Sequence, residues 1–227
     1  MTTSINKSRA IARSSSLLIA ASVLALITGA ANAQTPTVFA PDATVSGLTY
    51  GEWSAAWWQW AVSVPAPDSP LLDSSGQYCQ VSQSGPVWFL AGSFSSTPVT
   101  RQCAVPSGQV VLFPIINSIC AAEPDVQACA SSCVDGTSKG SLKATIDGAD
   151  VRGLKNFRAA SPLFDIRLPG NNIFGAPPGV YSPSASDGFW LMVQLPPGNH
   201  VLHWEGAFVS GPSAGFSQNV TYNLTVR

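Results

Sequence analysis

Charge is scarce in this chain: Asp, Glu, Lys and Arg make up only 10% of its 227 residues, whereas apolar residues make up 45%. The few charges show no basic excess, because 11 Lys and Arg stand against 12 acidic residues. Nucleic acids and anionic membranes bind strongly basic surfaces, so we expect neither as a partner. Ser, Thr, Asn, Gln and Gly must therefore cover most of the surface, as is common in exported β proteins.

The sequence also lacks the motifs that hold nucleotides and metals. It contains no P-loop and no dinucleotide-binding glycine fingerprint, and its two histidines, His200 and His203, lie far from all five cysteines. On an extended strand these histidines would point to opposite faces and form a poor chelating pair. We therefore expect no metal site and no cofactor. The letters G-x-S-x-G at 211–215 do not predict a nucleophile elbow, because strands are expected on both sides and no histidine follows.

Long apolar runs are missing except at the N-terminus. Three basic residues precede the apolar run 17–31, and positions 31–33 read Ala-Asn-Ala, a typical cleavage site. A membrane span needs about 20 apolar residues, so we interpret residues 1–33 as a cleaved secretory signal rather than an anchor. The mature protein is then expected to be secreted or periplasmic, without a membrane span.

Removal of the signal would leave residues 34–227, a length that suits one domain better than two. All three positive charges of the signal region would leave with it, so that 8 Lys and Arg would face 12 acidic residues. The mature domain is therefore expected to be acidic.

The cysteines predict disulfides, because thiols of exported proteins meet an oxidising compartment. We expect Cys79 to pair with Cys103 across neighbouring strands. Cys120 is expected to pair with Cys133 or, alternatively, with Cys129, and either pairing leaves one thiol over.

Two helices are predicted. Thr49 and Glu52 form a capping box, and Trp53, Trp57 and Trp60 then recur at helical spacing on one stripe. A second, short helix is predicted over 124–133, where Pro stands at the first position.

Most of the remaining chain reads as strands between turns. Phe216–Val226 alternates apolar and polar residues, which is typical of a half-buried strand. Asp147-Gly148 predicts a type I′ hairpin, and a second hairpin is predicted between 100–105 and 109–116. About nine or ten strands predict an all-β fold, a two-layer antiparallel β-sandwich or jelly roll with one Trp-rich N-terminal helix and a short second helix.

Several segments carry a resemblance. They are Tyr50-Gly51-Glu52-Trp53, Trp57-Trp58-Gln59-Trp60, Ser84–Gly92, Phe113–Asn117, Asp187-Gly188-Phe189-Trp190 and Pro197-Gly198-Asn199-His200. Together they are similar to a family of uncharacterised exported bacterial proteins, over nearly all of the mature chain. The resemblance implies export and a single domain, and it brings no catalytic residues.

The tryptophans suggest how a ligand could be bound, because exported β-sandwiches often lay an indole against a sugar ring. Most of the seven are expected in the core. Trp58 leaves the helical stripe of its neighbours, so Trp58 and Gln59 are candidate ligand-binding residues. Asn219 and Asn223 on the polar face of the last strand are further candidates.

Candidate catalytic groups are fewer. On a strand, His203 and Glu205 project to the same face. This placement is consistent with an acid–base pair, an orienting couple or an ordinary polar contact between strands. Glu52 is a further carboxylate, although the capping box already gives it a structural role.

Three functions are consistent with these patterns. The first is a secreted binding or surface-associated protein that recognises a glycan, a small polar ligand or an envelope component through aromatic and amide side chains. The second is a secreted polysaccharide hydrolase or lyase, with carboxylates or His203 and Glu205 in a cleft. The third is a structural or assembly module that pairs through an open sheet edge.

Overall fold

The computed structural model describes residues 1–4 and 34–227, so nearly all of the predicted signal segment lies outside the described residues. Residues 34–227 form one compact unit. Within the described part of the chain, no helix is long and apolar enough to cross a membrane. The elements in chain order are β1 (Thr37–Val38), α1 (Tyr50–Ser63), β2 (Val87–Phe89), β3 (Val99–Val105), β4 (Val110–Ala121), α2 (Val126–Val134), β5 (Leu142–Ile146), β6 (Ala149–Asp150), β7 (Arg158–Ala160), β8 (Phe164–Leu168), β9 (Gly179–Gln194), β10 (Gly198–Ala207) and β11 (Ser217–Val226).

The strands form two open sheets. The first has the order β1-β9-β4-β2, with β7 and β8 also paired to β9, and the second has the order β3-β11-β10-β5-β6. The sheets pack together, as the ring of Phe113 on β4 lies 4.5 Å from that of Trp204 on β10. The predicted two-layer β architecture with two helices is thus confirmed. Both sheets are mixed, because β2 runs parallel to β4 and β3 parallel to β11.

The expected hairpin between 100–105 and 109–116 is wrong. The turn at Pro106-Ser107-Gly108 carries the chain from the second sheet to the first, so β3 pairs with β11 while β4 pairs with β9 and β2. Both strands are apolar enough to be buried, and the sequence of the turn does not indicate whether it joins strands within one sheet or between two.

The alternation along β11 is confirmed. Val220, Tyr222, Leu224 and Val226 are buried, whereas the intervening residues Asn219, Thr221, Asn223 and Thr225 are half-buried or exposed. The second sheet therefore has one face in the core and one polar face in contact with water.

Helix α1 is buried on most sides rather than along one stripe. Ten of its 14 residues are buried. The small residues on its second side allow close contact with the sheet: a Cβ on Gly51 would collide with the carbonyl oxygen of Ala160, and the Ser54 hydroxyl lies 3.0 Å from that of Ser186. A helix that is apolar around most of its circumference belongs inside a protein, which explains the placement of Trp58 described below.

Candidate functional site

The water-facing side of the second sheet, which we call the polar face, collects most of the predicted site residues. Strand pairing aligns Thr145, His203, Thr221 and Thr100 in one row across four strands. The adjacent rows hold Lys143, Glu205 and Asn219 on one side, and Asn223 and Gln102 on the other. All of these side chains are half-buried or exposed. The two-residue period of β10 and β11 thus brings His203, Glu205, Asn219 and Asn223 to one surface, as predicted.

One end of the polar face deepens into a groove of about 640 Å³, which we call the amide groove. Five side-chain amides line it, and all five residues are exposed: Gln77, Gln80, Gln102, Asn199 and Asn223. Thr225 also lines the groove, and its hydroxyl donates to Oδ1 of Asn199 at 3.2 Å. Of these residues the sequence indicated only Asn223, because the groove is assembled from segments that are distant along the chain.

The outer wall of the amide groove is a loop that is fixed to the edge of β3. A disulfide joins Cys79 to Cys103, with their Cα atoms 5.9 Å apart, and the N–H of Gln102 donates to the carbonyl oxygen of Ser75 at 2.9 Å. Gly76 allows this close approach, since a Cβ there would collide with the carbonyl oxygen of Gln102, and its φ of 94° also favours glycine. Loop and strand therefore hold the backbone of Gln77, Gln80 and Gln102 in place beside the groove.

His200 contributes to the floor of the amide groove. It is buried, with Nδ1 lying 2.8 Å from Oδ2 of Asp147 and Nε2 lying 2.9 Å from the carbonyl oxygen of Pro196. A carboxylate and a carbonyl are both acceptors. Both ring nitrogens are thus held by neighbouring oxygen atoms, so His200 has a structural role here.

His203 and Glu205 do contact each other. Nε2 of His203 lies 2.9 Å from Oε1 of Glu205, and Nδ1 lies 3.0 Å from Oγ1 of Thr221. Nζ of Lys143 lies 3.5 Å from the same carboxylate oxygen. The pKa of Glu205 is lowered, chiefly by the hydrogen bond from His203. Burial opposes this effect, and the positive charge of Lys143 is a smaller cause that also lowers the pKa.

A second, smaller groove of about 420 Å³ lies at the opposite end of the polar face. Lys143, Glu205 and Asn219 line it, together with Ser141 and Gln218. The polar face is therefore bordered by a mostly neutral groove on one side and by a groove with two charged side chains on the other.

The prediction for Trp58 requires correction. All seven tryptophans are buried, and Trp58 is only 4% exposed. It packs against Trp57 on α1, with the ring centroids 5.0 Å apart, because both sides of the helix are covered. Trp58 therefore cannot lay its ring against a ligand on the surface. Gln59 is exposed, but its amide donates to the carbonyl oxygen of Asp165 at 3.0 Å. Asp165 is on β8 of the first sheet, whereas the polar face belongs to the second sheet.

Three other indoles attach loops to α1. The N–H groups of Trp53, Trp57 and Trp60 each donate at 2.9 Å to a backbone carbonyl, of Val45, Leu90 and Val81 respectively. Buried indoles usually find such a partner. The Trp-rich segment thus works as a packing element.

Glu52 has the structural role that the sequence predicts. Its carboxylate accepts from the N–H and the hydroxyl of Thr49, both at 2.8 Å, while the N–H of Glu52 donates back to that hydroxyl. The two hydrogen bonds from Thr49 lower the pKa of Glu52. This reciprocal arrangement is a capping box.

The second disulfide joins Cys120 to Cys129, the alternative partner, and leaves Cys133 as a buried free thiol. Its sulfur accepts from the hydroxyl of Ser213 at 3.1 Å. Cys120, Glu123 and Cys129 bring three donor atoms within 4.8 Å of one another, but the disulfide occupies both sulfurs. Two disulfides are consistent with an extracytoplasmic location.

The contacts of two arginines escaped the sequence-based prediction. Arg158 bridges Asp187, at 2.6 Å, and Asp135, at 2.7 Å, and so joins β9 to the end of α2. Arg101 is 1% exposed and donates to the carbonyl oxygens of Asp73, Ala91 and Gly92. Arg101 is thus enclosed by the fold, whereas the Arg158 side chain is 35% exposed and of its two partners only Asp187 is buried.

The comparisons of the chain with protein-family models, with curated proteins and with solved structures found no match.

Proposed function

We propose that this protein is an exported, extracytoplasmic binding protein that recognises a neutral polyhydroxylated ligand, of the glycan class, through the amide groove. The observation that supports the proposal most is the presence of five exposed amides along one groove. An amide offers both a donor and an acceptor, and so does a sugar hydroxyl. A set of amides therefore suits a set of hydroxyls better than it suits an ion.

The charge distribution agrees with a neutral ligand. Few charges line the amide groove: Arg227 is the one Lys, Arg, Asp or Glu among its lining residues, and the buried ring of His200 is already bonded to Asp147. Acidic residues of the polar face, such as Glu205, line the other groove instead. The two disulfides, and the predicted signal at 1–33, support a location outside the cytoplasm.

The affinity should be modest, because the tryptophans are buried and recognition would depend on hydrogen bonds. Each such bond replaces a bond to water and contributes about 0.5 to 1.5 kcal/mol. A handful of them gives a dissociation constant in roughly the millimolar range. Detection therefore requires a multivalent format.

A role as an assembly module has less support. In the described residues, the edge strands β1, β2, β6 and β7 are only two or three residues long. The loop that carries Cys79 covers part of β3, and Gln59 of α1 bonds to the carbonyl oxygen of Asp165 on the edge strand β8. Short and covered edges discourage strand addition.

A direct test uses the full chain, exported and then purified from the extracytoplasmic fraction. A multivalent glycan array identifies a bound sugar, and titration followed by NMR measures its affinity for Asn223→Ala, Gln102→Ala and the control Gln127→Ala. Gln127 is an exposed amide on α2 outside the groove.

We expect each groove variant to bind about tenfold more weakly, which corresponds to about 1.4 kcal/mol, and the control to bind like the wild type. Equal affinities for all variants, or an array without any bound glycan, would contradict the proposal.

A further inference from the structure

Three side chains at the centre of the polar face form a continuous chain of hydrogen bonds. Thr221 on β11 lies directly opposite His203 on β10, and Glu205 follows His203 by two residues on the same face. The contacts are 3.0 Å from Oγ1 of Thr221 to Nδ1 of His203, and 2.9 Å from Nε2 of His203 to Oε1 of Glu205.

The order of donors and acceptors follows from the charge of Glu205. The imidazole and the nearby Lys143 favour its ionised form, which can only accept hydrogen bonds. Nε2 of His203 must then carry the proton. In a neutral ring this leaves Nδ1 with a lone pair, so the hydroxyl of Thr221 donates to it.

A hydroxyl that donates to an imidazole, which in turn donates to a carboxylate, is the arrangement that activates a nucleophile in acyl-transfer enzymes. Partial burial supports it, since His203 is 22% exposed and hydrogen bonds strengthen as water is excluded. Asn219 and Asn223 precede and follow Thr221 by two residues on the same face. Their amides are the available donors for a developing oxyanion.

We propose that Thr221 is the nucleophile of an esterase site, with His203 as general base and Glu205 as the residue that positions His203. The Oγ1 atom of Thr221 bonds to the ester carbonyl carbon while its proton moves to Nδ1 of His203. The bond from that carbon to the alcohol oxygen then breaks, and the alcohol takes the proton from His203. Water, deprotonated by His203, adds to the acyl-threonine, and the carboxylic acid leaves as Oγ1 regains a proton.

The substrate class is a small acyl ester of a polar alcohol. The polar face is open and lies between two grooves, which suits a compact acyl group on a hydrophilic carrier. The identity of the carrier as a carbohydrate rests on the proposed function. The reactivity of Thr221 does not, because it is argued from the two hydrogen bonds that join Thr221, His203 and Glu205.

The test is covalent labelling of the exported, purified full chain with a fluorophosphonate probe, followed by mass spectrometry of the peptides, alongside hydrolysis of p-nitrophenyl acetate. We compare the wild type with Thr221→Val, which keeps the shape and removes the hydroxyl. The matched control is Thr100→Val, an exposed threonine in the same row of the polar face that lines neither groove.

We expect an adduct on Thr221 in the wild type and in Thr100→Val, and none in Thr221→Val. Thr221→Ser should be labelled, which shows that the hydroxyl and not the methyl group is required. His203→Gln should lower the labelling rate by about a hundredfold or more. Glu205→Gln should retain more of the labelling rate than Glu205→Ala, because the amide oxygen can still accept from Nε2 of His203 and so position the ring.

Wild-type protein without an adduct at Thr221, or hydrolysis at equal rates by Thr221→Val and the wild type, would overturn the proposal. The probe contains no sugar, so labelling is independent of glycan recognition. If Thr221 is labelled but no glycan binds, only the proposed function is refuted. If a glycan binds but Thr221 is not labelled, only the esterase site is refuted.

Discussion

Nδ1 of His200 lies 2.8 Å from Oδ2 of Asp147, so a buried ring at the start of β10 is fixed to the turn between β5 and β6. The other oxygen of the same carboxylate accepts from the N–H of Val201 at 2.8 Å. Asp147 stands between the amide groove, whose floor includes His200, and a separate groove of about 630 Å³ beside β1. One carboxylate therefore holds the geometry of this end of the sheet.

Replacement of Asp147 by Ala should lower the free energy of unfolding by about 1 to 3 kcal/mol, because two hydrogen bonds are lost and the His200 nitrogen is left buried without its partner. Ala also fits poorly at a φ of 51°. Urea unfolding measures the change. Asp150→Ala, an exposed residue on β6, is the control and should change the free energy by less than about 0.5 kcal/mol; equal losses in the two variants would contradict this role of Asp147.

Features that depend on residues close in sequence were predicted correctly. The capping box of Thr49 and Glu52 starts α1, and Asp147 and Gly148 both adopt the positive φ that a type I′ turn requires. The alternation of β11 placed Asn219 and Asn223 on the polar face. Each of these signals is local, so the sequence suffices.

Features that depend on distant partners were missed. Asp187-Gly188 has the letters of a turn, yet it lies within the long strand β9, where Asp187 is buried against Arg158. Gln77 and Gln80 join the amide groove only because a disulfide brings their loop to β3. The position of Thr221 opposite His203 depends on strand register, which the sequence alone did not determine.

A comparison of substitutions at the adjacent residues Trp57 and Trp58 separates the contribution of packing to stability from that of hydrogen bonding. Both are buried, but the N–H of Trp57 donates to the carbonyl oxygen of Leu90, whereas the N–H of Trp58 has no partner among the described residues. Substitution of either by Phe removes similar volume. Trp57→Phe should therefore cost about 1 to 2 kcal/mol more than Trp58→Phe, because it also leaves a buried carbonyl unpaired. Chemical denaturation of both variants measures the difference, and equal losses would refute this explanation.

The disulfide of Cys79 with Cys103 should stabilise both the fold and the groove. Its removal by Ser at both positions should cost about 2 to 4 kcal/mol and speed hydrogen exchange in the loop 75–80. The control removes Cys120 and Cys129 instead. That bridge spans 9 residues rather than 24, so its loss should cost about 1 kcal/mol less, and it should leave exchange in the loop unchanged. Faster exchange in both double variants would show that the effect is global.

The pairing itself is testable by peptide mapping under non-reducing conditions. We expect one free thiol, at Cys133, that reacts with alkylating agents only after denaturation, because the residue is buried. A bridge between Cys120 and Cys133, with Cys129 alkylated, would instead support the other predicted pairing.

The buried hydroxyl of Tyr50 should make the protein sensitive to alkali. Tyr50 donates to the carbonyl oxygen of Phe39 at 3.0 Å and accepts from the N–H of Met192 at 3.1 Å. Burial raises the pKa of Tyr50 from 10.0 to about 12, although the hydrogen bond from Met192 acts in the opposite direction. The folded chain therefore keeps a proton that the unfolded chain loses, and stability that is fully present below pH 10 falls as the pH rises towards 12.

Tyr50→Phe isolates this contribution. At neutral pH the variant should be less stable than the wild type, because a buried carbonyl and a buried N–H lose their partner. The deficit should shrink by on the order of 2 kcal/mol between pH 10 and pH 12, since only the wild type loses the proton-linked stability. Burial also raises the pKa of Tyr222, but that residue is present in both proteins and cancels from the difference. Urea midpoints measured across this range decide the matter: a deficit that stays constant up to pH 12 would mean that Tyr50 ionises equally in the folded and the unfolded chain.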